Sequence, residues 1–210
     1  MQPARREPKL GGEAAGWLAV ACLLASGITH AQATSAASRG LPHLDRVMAV
    51  DPPKPVADFE LTDQDGAAFS STKLRGQPAL VFFGYAHCPD VCPAALAKLR
   101  LVHASDDPAV KRARVVFVSV DGERDTPASL KDYLAKLSPD FIGLTGNPDV
   151  VRGIAEGFHV AFYNDQPAAD GSYKVQHSGQ IYLIDAAGNL RAELYDPPVE
   201  TITTLVRALD

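Results

Sequence analysis

The chain has 210 residues, of which 46% are hydrophobic and 21% are charged, and its formal net charge is -5. These values indicate one well-buried domain and argue against low-complexity sequence, internal repeats and coiled coils. The chain has no basic block, so we expect no nucleic-acid partner, because such partners require a concentrated positive charge.

Residues 1–33 have the pattern of an export signal. A basic segment with Arg5 and Arg6 precedes an uncharged apolar run from Ala14 to Ile28, and an A-x-A sequence ends at Ala33. The apolar run is shorter than the ~20 residues that span a bilayer comfortably, which favours a cleaved signal peptide, with a single membrane anchor as the alternative. We therefore expect an exported, periplasmic protein that is either soluble or anchored to the inner membrane.

The following segment, residues 34–56, is small, polar and rich in proline, which predicts a linker before a domain at 57–210. The elements predicted in that domain are a hairpin around the turn 63–66, a buried strand at 78–85, a helix at 94–103, a strand at 114–120, helices at 126–137 and 149–158, a hairpin at 179–195 and a helix at 201–209. This order predicts an α/β, thioredoxin-like fold with a central mixed sheet flanked by helices and an N-terminal β-hairpin extension.

Cys88 and Cys92 are the only cysteines outside the leader, in the sequence Y-A-H-C-P-D-V-C-P. In an exported protein the usual interpretation of such a pair is a structural disulfide. A bridge across so short a loop stabilises little, so a redox couple or a pair of metal ligands explains the spacing better. Cu(I) favours thiolates, and we expect the start of the following helix to lower the pKa of these cysteines.

Three segments resemble the SCO/SenC family in wording and order: Tyr85 to Pro93, Val120 to Pro127 (V-D-G-E-R-D-T-P), and His177-Ser178 ahead of Ile181 to Asp185. Members of this family are thioredoxin-like, exported or membrane-anchored proteins that bind copper and assist assembly of the CuA centre of cytochrome c oxidase. The resemblance implies that Cys88, Cys92 and His177 bind copper, as Cu(I) or Cu(II). It also implies a partner, either the CuA-bearing subunit or another copper chaperone.

His177 is weakly indicated without that resemblance, because a lone histidine before a strand is more often structural. A mobile loop at 164–176 could carry it to and from the metal. His87 adjoins Cys88, but adjacent residues of an extended chain point in opposite directions, so we expect its ring to face away. His103 and His159 fit structural or solvent-facing positions.

Acidic residues accompany the cysteine motif. Asp121, Glu123 and Asp125 lie in a loop after a strand, where turn formation and helix capping are the usual roles, and we expect these roles for Asp125 and Thr126. We expect Asp90 to be exposed and either to contact a partner or to tune the thiols. At three positions, Ala86, Gly122 and Gln176, the residue differs from the one that is common in this family. Gln176 stands where an aspartate is common, which puts the identity of the client in doubt.

Two functions follow from these residues. The first is a metallochaperone that delivers copper to the CuA site through Cys88, Cys92 and His177. The alternative is a thiol-disulfide reductase, in which Cys88 and Cys92 are a catalytic redox pair that keeps an exported partner reduced. Whether the protein is an enzyme therefore depends on the role of the two thiols.

Overall fold

A computed structural model describes residues 41–209; the predicted signal peptide or anchor at 1–33 and the first part of the linker lie outside the described residues. The strands are β1 Val47–Pro55, β2 Glu60–Asp63, β3 Ala68–Ser70, β4 Ala79–Gly84, β5 Arg114–Ser119, β6 Ile142–Thr145, β7 Phe162–Asn164, β8 Val175–His177, β9 Ile181–Ile184 and β10 Asn189–Leu194. The helices are α1 Val91–His103, α2 Pro108–Lys111, α3 Pro127–Ala135, α4 Pro148–Gly157 and α5 Val199–Ala208, and a short 3-10 turn lies at Ser71–Leu74.

Eight strands form one mixed sheet in the order β1-β10-β9-β4-β5-β6-β2-β3. Its centre is parallel, with β5 between β4 and β6, while β9 runs antiparallel to β4. Strands β7 and β8 form a separate two-stranded ribbon. The predicted thioredoxin-like α/β fold with a central mixed sheet is confirmed.

The two central strands are apolar on both faces, as a sheet covered by helices requires. Every residue of β4 is buried, and so are the last five residues of β5. Their carboxyl ends are level, because Gly84 pairs with Ser119 in the register of these parallel strands. Residues that directly follow β4 and β5 therefore meet at the same edge of the sheet.

Several helix starts follow their local sequence. Thr126 caps α3 by accepting a hydrogen bond from the Ser129 amide at 3.2 Å, and Pro127 occupies the first helical turn. Asn147 caps α4 in the same way, accepting from the Asp149 amide at 2.8 Å. The predicted helices at 126–137 and 149–158 are thus present within a few residues of their expected ends.

The linker prediction is wrong for residues 47–55, which form β1 at the edge of the sheet. This strand pairs antiparallel with β10, from Val47 opposite Leu194 to Pro55 opposite Asn189. The prolines that suggested a linker are tolerated here because an edge strand leaves one row of backbone groups unpaired. The predicted N-terminal hairpin is β2–β3, which extends the other edge through β6.

Two further elements differ from the predictions. Strand β6 was not predicted from the sequence, because it has only four residues and one of them is Gly143. The expected loop at 164–176 is ordered at both ends as the β7–β8 ribbon, in which Phe162 pairs with His177. In the described part of the chain, no helix has the length and apolar character needed to cross a membrane.

Candidate metal centre

The two cysteines lie where β4 ends and α1 begins. The Cys88 amide donates to the Tyr85 carbonyl at 3.1 Å, which closes a turn between the strand and the helix. Cys92 is the second residue of α1 and is fully buried, whereas Cys88 is half-buried. Both thiols are free, so the predicted alternative of a disulfide is not formed in this structure.

His177, the last residue of β8, lies against these thiols although it is 85 positions from Cys92 in the chain. Its Nε2 atom is 3.4 Å from Cys92 Sγ. The Sγ atoms of Cys88 and Cys92 and one ring nitrogen of His177 all lie within 4.8 Å of one another. The three residues that the sequence singles out thus form one cluster of two sulfurs and one nitrogen.

Neighbouring groups fix the orientation of the His177 ring. Its Nδ1 atom is 3.0 Å from the Ser178 carbonyl oxygen, which can only accept, so Nδ1 carries the ring proton. In the neutral ring, Nε2 therefore has the lone pair, and this atom faces the sulfurs. The rings of Phe82 and Tyr85 meet the imidazole edge to face, at centroid distances of 6.1 and 5.8 Å. Burial lowers the pKa of His177, which favours the neutral ring that a metal requires.

The electrostatics of Cys92 differ from the prediction. Burial raises the pKa of the Cys92 thiol, and a hydrogen bond with the Cys88 side chain raises it further. The expected lowering by the start of the helix is therefore wrong for Cys92, because the cost of burying an unpaired thiolate exceeds the stabilisation from the helix end. A soft cation that replaces the thiol proton removes that cost, so metal binding here is coupled to proton release.

Gly84 makes room for Cys92. A Cβ atom on Gly84 would lie 2.8 Å from Cys92 Sγ, which is closer than real contacts allow. The absence of a side chain at this position lets the buried sulfur pack directly on the end of β4.

The other histidines in the described part of the chain lie elsewhere. The exposed His87 ring has its Nδ1 atom 3.5 Å from Asp125 Oδ1. His103 is 3.3 Å from Asp140, and His159 contacts Glu193 at 2.9 Å. His43 is exposed near the start of the described chain.

Asp125 supports the segment that carries the two cysteines, residues 85–92, which we call the cysteine loop. Its Oδ2 atom accepts hydrogen bonds from the Ala86 amide at 2.9 Å and from the Ser119 hydroxyl at 2.7 Å. Its side chain is fully buried, and burial raises the pKa of its carboxyl. The predicted turn and the predicted cap by Thr126 are both present, since the Asp125 amide donates to the Asp121 carbonyl at 2.9 Å and Thr126 caps α3. The Asp125 side chain does not cap the helix and instead holds the residue two before Cys88.

Asp121 is the centre of a second group of polar contacts. Its Oδ2 atom accepts from Arg124 Nε at 2.5 Å, and its Oδ1 atom accepts from the Tyr173 hydroxyl at 2.9 Å. The side chains of His87, Asp121 and Asp125 converge, but both oxygens of Asp121 already have partners. We therefore interpret this acidic group as a hydrogen-bonded support of the cysteine loop.

Tyr85, Arg124 and Tyr173 are site residues that the sequence reasoning missed. A signal for Arg124 was present, because the segment after β5 must lie beside the segment after the parallel strand β4. The same signal applies to Tyr85, which directly follows β4, whereas Tyr173 has none. Their contacts depend on how the β7–β8 ribbon folds over the site, and that ribbon was predicted as a loop.

The donor set fits copper. Two thiolate sulfurs and one imidazole nitrogen suit Cu(I), and the same set suits Cu(II) in a more planar arrangement. Among the described residues, no other cysteine, histidine or acid joins this group of three, whereas a structural zinc site normally has four protein ligands.

The sequence model of the SCO1/SenC family matches residues 48–209 of the chain. The chain belongs to the SCO1/SenC family. A relative from Rickettsia felis, named SCO2-like protein, is 39% identical over 139 residues, which cover 66% of this chain and 68% of the relative.

Solved structures of SCO proteins share the fold. ScoI of Bradyrhizobium japonicum, determined with copper bound, is 33% identical with a TM-score of 0.65, and the match covers 74% of this chain and 99% of that one. Apo Sco1 of Thermus thermophilus is 32% identical with a TM-score of 0.70, and the match covers 81% of this chain and 100% of the other.

Gln176, which differs from the aspartate common in this family, has a structural role. The Gln176 side chain donates to Asp165 Oδ2 at 2.9 Å, which links the β8 strand to the chain just after β7. Gln176 is exposed and lies on the opposite side of the strand from His177. Its amide therefore braces the ribbon from outside and has no contact with the sulfurs.

Proposed function

We propose that this protein is a copper metallochaperone that holds one copper ion through Cys88, Cys92 and His177. The observation that carries this proposal is the convergence of two free thiols and a correctly oriented imidazole within 4.8 Å, from segments far apart in the chain. Membership of the SCO1/SenC family and the likeness to a copper-bound ScoI support it.

The same geometry suits a carrier of copper. Cys88 is half-buried and can be reached from solvent, whereas Cys92 is enclosed by the core. An acceptor can reach the copper from the accessible side of Cys88 and displace His177 and the thiolates one at a time, so copper leaves by successive ligand exchange. A three-ligand site supports this step because an acceptor ligand can join before a resident one leaves.

We assign the client from the family resemblance. The copper acceptor is the CuA centre of cytochrome c oxidase, reached on its CuA-bearing subunit or through another copper chaperone. From the export-signal pattern of residues 1–33 we infer that this exchange takes place in the periplasm, with the domain either free or held at the inner membrane by a single anchor.

The test is Cu(I) titration of the reduced protein against a competing chelator. We expect one tight site in the wild type, loss of that site in Cys88→Ser, and an affinity at least about tenfold lower in His177→Ala, because one of three ligands is removed. His43→Ala is the matched control and keeps the wild-type affinity, because His43 is exposed and belongs to neither group of converging side chains. Transfer is then followed by mixing the Cu(I)-loaded protein with an apo CuA domain, adding a one-electron oxidant such as ferricyanide, and recording the visible absorption of the mixed-valence CuA centre.

A thiol-disulfide reductase is the second candidate, favoured by the pairing of an accessible Cys88 with an enclosed Cys92. The Cys88 thiolate attacks a partner disulfide, forms a mixed disulfide and releases one partner thiol. Cys92 then attacks Cys88 Sγ and releases the second thiol, so the partner gains two electrons and a Cys88–Cys92 disulfide forms. Equal copper affinity in wild type and His177→Ala, with insulin reduction that requires both cysteines, would favour this function.

A further inference from the structure

The part of the fold that carries His177 is small and depends on outside contacts. We call β7, β8 and the loop between them the His177 ribbon. Only three residue pairs form its ladder, from Phe162 opposite His177 to Asn164 opposite Val175. A two-stranded ribbon of this size is marginal by itself, so its position over the cysteines is set by side chains of the main domain.

Arg124 holds the β8 side of the ribbon. Its guanidinium lies over the Tyr173 ring at 3.7 Å, and Nη1 donates to the carbonyl of that same tyrosine at 3.0 Å. Asp121 completes the group, since it accepts from both Arg124 Nε and the Tyr173 hydroxyl. These three residues, which we call the Arg124 clamp, make a closed set of charge-assisted bonds around a half-buried tyrosine.

Arg152 of α4 holds the β7 side by the same arrangement. Its guanidinium lies over the Phe162 ring at 4.7 Å, and Nη1 donates to the Phe162 carbonyl at 3.3 Å. The β7 strand and the loop that leads into β8 are thus each fixed by an arginine that stacks on an aromatic ring and binds the carbonyl of the same residue.

Unlike Arg152, the Arg124 clamp is also connected to the loop that carries the two cysteines. Arg124 and Asp121 belong to the loop after β5, and Asp125 in that loop binds the Ala86 amide of the cysteine loop. Tyr85 adds a direct link, because it bonds the Val175 backbone and its ring meets the His177 ring. The clamp therefore joins the segment with the two sulfurs to the segment with the nitrogen.

We propose that Arg124 is a positioning residue that keeps His177 beside the two thiols, and that opening of the Arg124 clamp is the step that frees copper for transfer. This inference rests on the proposed function, because it presupposes that His177 binds the metal. Its physical basis is that the ribbon has few internal bonds, so loss of the clamp lets β8 move away while Cys88 and Cys92 stay in place.

The experiment compares wild type with Arg124→Gln and Tyr173→Phe. Tyr173→Phe keeps the ring under the guanidinium and removes only the bond to Asp121. Arg75→Gln is the matched control, since Arg75 makes an exposed ion pair with Asp58 at 2.7 Å on another part of the surface. Three quantities are measured: the rate of Cu(I) loss to a chelator, nitrogen hyperfine coupling in the Cu(II) electron paramagnetic resonance spectrum, and hydrogen exchange of the metal-free protein.

We expect Arg124→Gln to lose Cu(I) about tenfold faster or more, given the strength of bonds to a charged group, and Tyr173→Phe to show a smaller increase. In the metal-free protein, the Asp165 and Ser178 amides, which bond to Lys174 and Ala161, exchange faster in Arg124→Gln than in Arg75→Gln. Nitrogen coupling in Arg124→Gln weakens while the two thiols still bind copper.

Three results would each overturn a part of this proposal. Wild-type rates of copper loss in both Arg124→Gln and Tyr173→Phe overturn the clamp while leaving the copper site intact. A wild-type protein without nitrogen coupling overturns the proposed ligand set itself, and the clamp with it. Faster loss in Arg75→Gln to the same degree overturns the specific role of Arg124.

Discussion

At the scale of single residues, the site depends on the space beside Cys92 as much as on its donor atoms. A methyl group at Gly84 would lie 2.8 Å from Cys92 Sγ, 2.9 Å from the Phe82 ring and 3.0 Å from the Phe117 ring. We therefore expect Gly84→Ala to push the sulfur away from His177 Nε2, and to lower the free energy of unfolding by about 1–3 kcal/mol through overpacking.

The measurements for Gly84→Ala are urea unfolding of the metal-free protein and Cu(I) affinity by chelator competition. We expect weaker copper binding together with the loss of stability. Gly179→Ala is the control, because a Cβ atom at that position meets nothing within 4 Å. Wild-type copper affinity in Gly84→Ala would show that Cys92 does not need this space.

The sequence predicts residues of this site to different degrees for physical reasons. Cys88 and Cys92 are near neighbours with chemistry that few other side chains share, so residue type and spacing point to them. His177 is indicated by the family resemblance alone. Asp125 and Tyr173 act through long-range packing, and nothing in their local sequence indicates a buried carboxyl or a tyrosine that binds Asp121.

At the scale of elements, strongly patterned segments were predictable and short ones were not. The apolar runs of β4 and β5 and the capped starts of α3 and α4 have clear local causes. Strands β1 and β6 owe their conformation to neighbours, since β1 pairs with β10 and β6 lies between β5 and β2. Proline in β1 and glycine in β6 argued against strands, but pairing with neighbouring strands outweighs local preference in both.

Two glycines make a test of how local and tertiary effects differ. Gly153 is exposed inside α4, and a Cβ atom there meets nothing within 4 Å. We expect Gly153→Ala to raise the free energy of unfolding by about 0.5–1 kcal/mol, because alanine restricts the unfolded chain and favours the helix. Urea denaturation of the metal-free protein measures the change.

Gly122→Ala is the opposing variant. A Cβ atom on Gly122 would lie 2.2 Å from the backbone oxygen of Gly146, so the loop after β5 must move. We expect a lower free energy of unfolding and faster copper loss, because the same loop carries Asp121, Arg124 and Asp125. Equal stability of Gly122→Ala and wild type would contradict the close approach of these two backbones.

At the scale of the whole molecule, the site exists only when the sheet is assembled. The cysteines follow a central strand, and His177 comes from a ribbon that lies beyond α4 in the sequence. Copper binding is therefore linked to folding, since an unfolded chain does not hold the three donors together. Copper accordingly stabilises the native state in proportion to its affinity and free concentration.

The metal-free protein should lose stability at alkaline pH, for a reason that involves the core as a whole. Burial raises the pKa of Cys92 and of Tyr182, and both side chains are fully buried. In the unfolded chain these groups titrate at about 8.5 and about 10, so the unfolded state releases protons first as the pH rises. Their contribution to stability is complete below those values and declines above them, by about 1.4 kcal/mol per pH unit and group.

Urea unfolding in reducing buffer between pH 7 and 10.5 tests this prediction. We expect a first decline that begins near pH 8.5 and steepens near pH 10 as Tyr182 and Tyr133, whose pKa values burial also raises, add to Cys92. Cys92→Ser lacks the first decline and keeps the second, whereas Cys88→Ser, which leaves the buried thiol in place, keeps both. Copper loading of the wild type removes the first decline, because the bound sulfur no longer exchanges a proton with solvent. If the free energy of unfolding of the metal-free protein stayed constant from pH 8 to 10, that result would contradict the burial of a neutral thiol at the centre of the site.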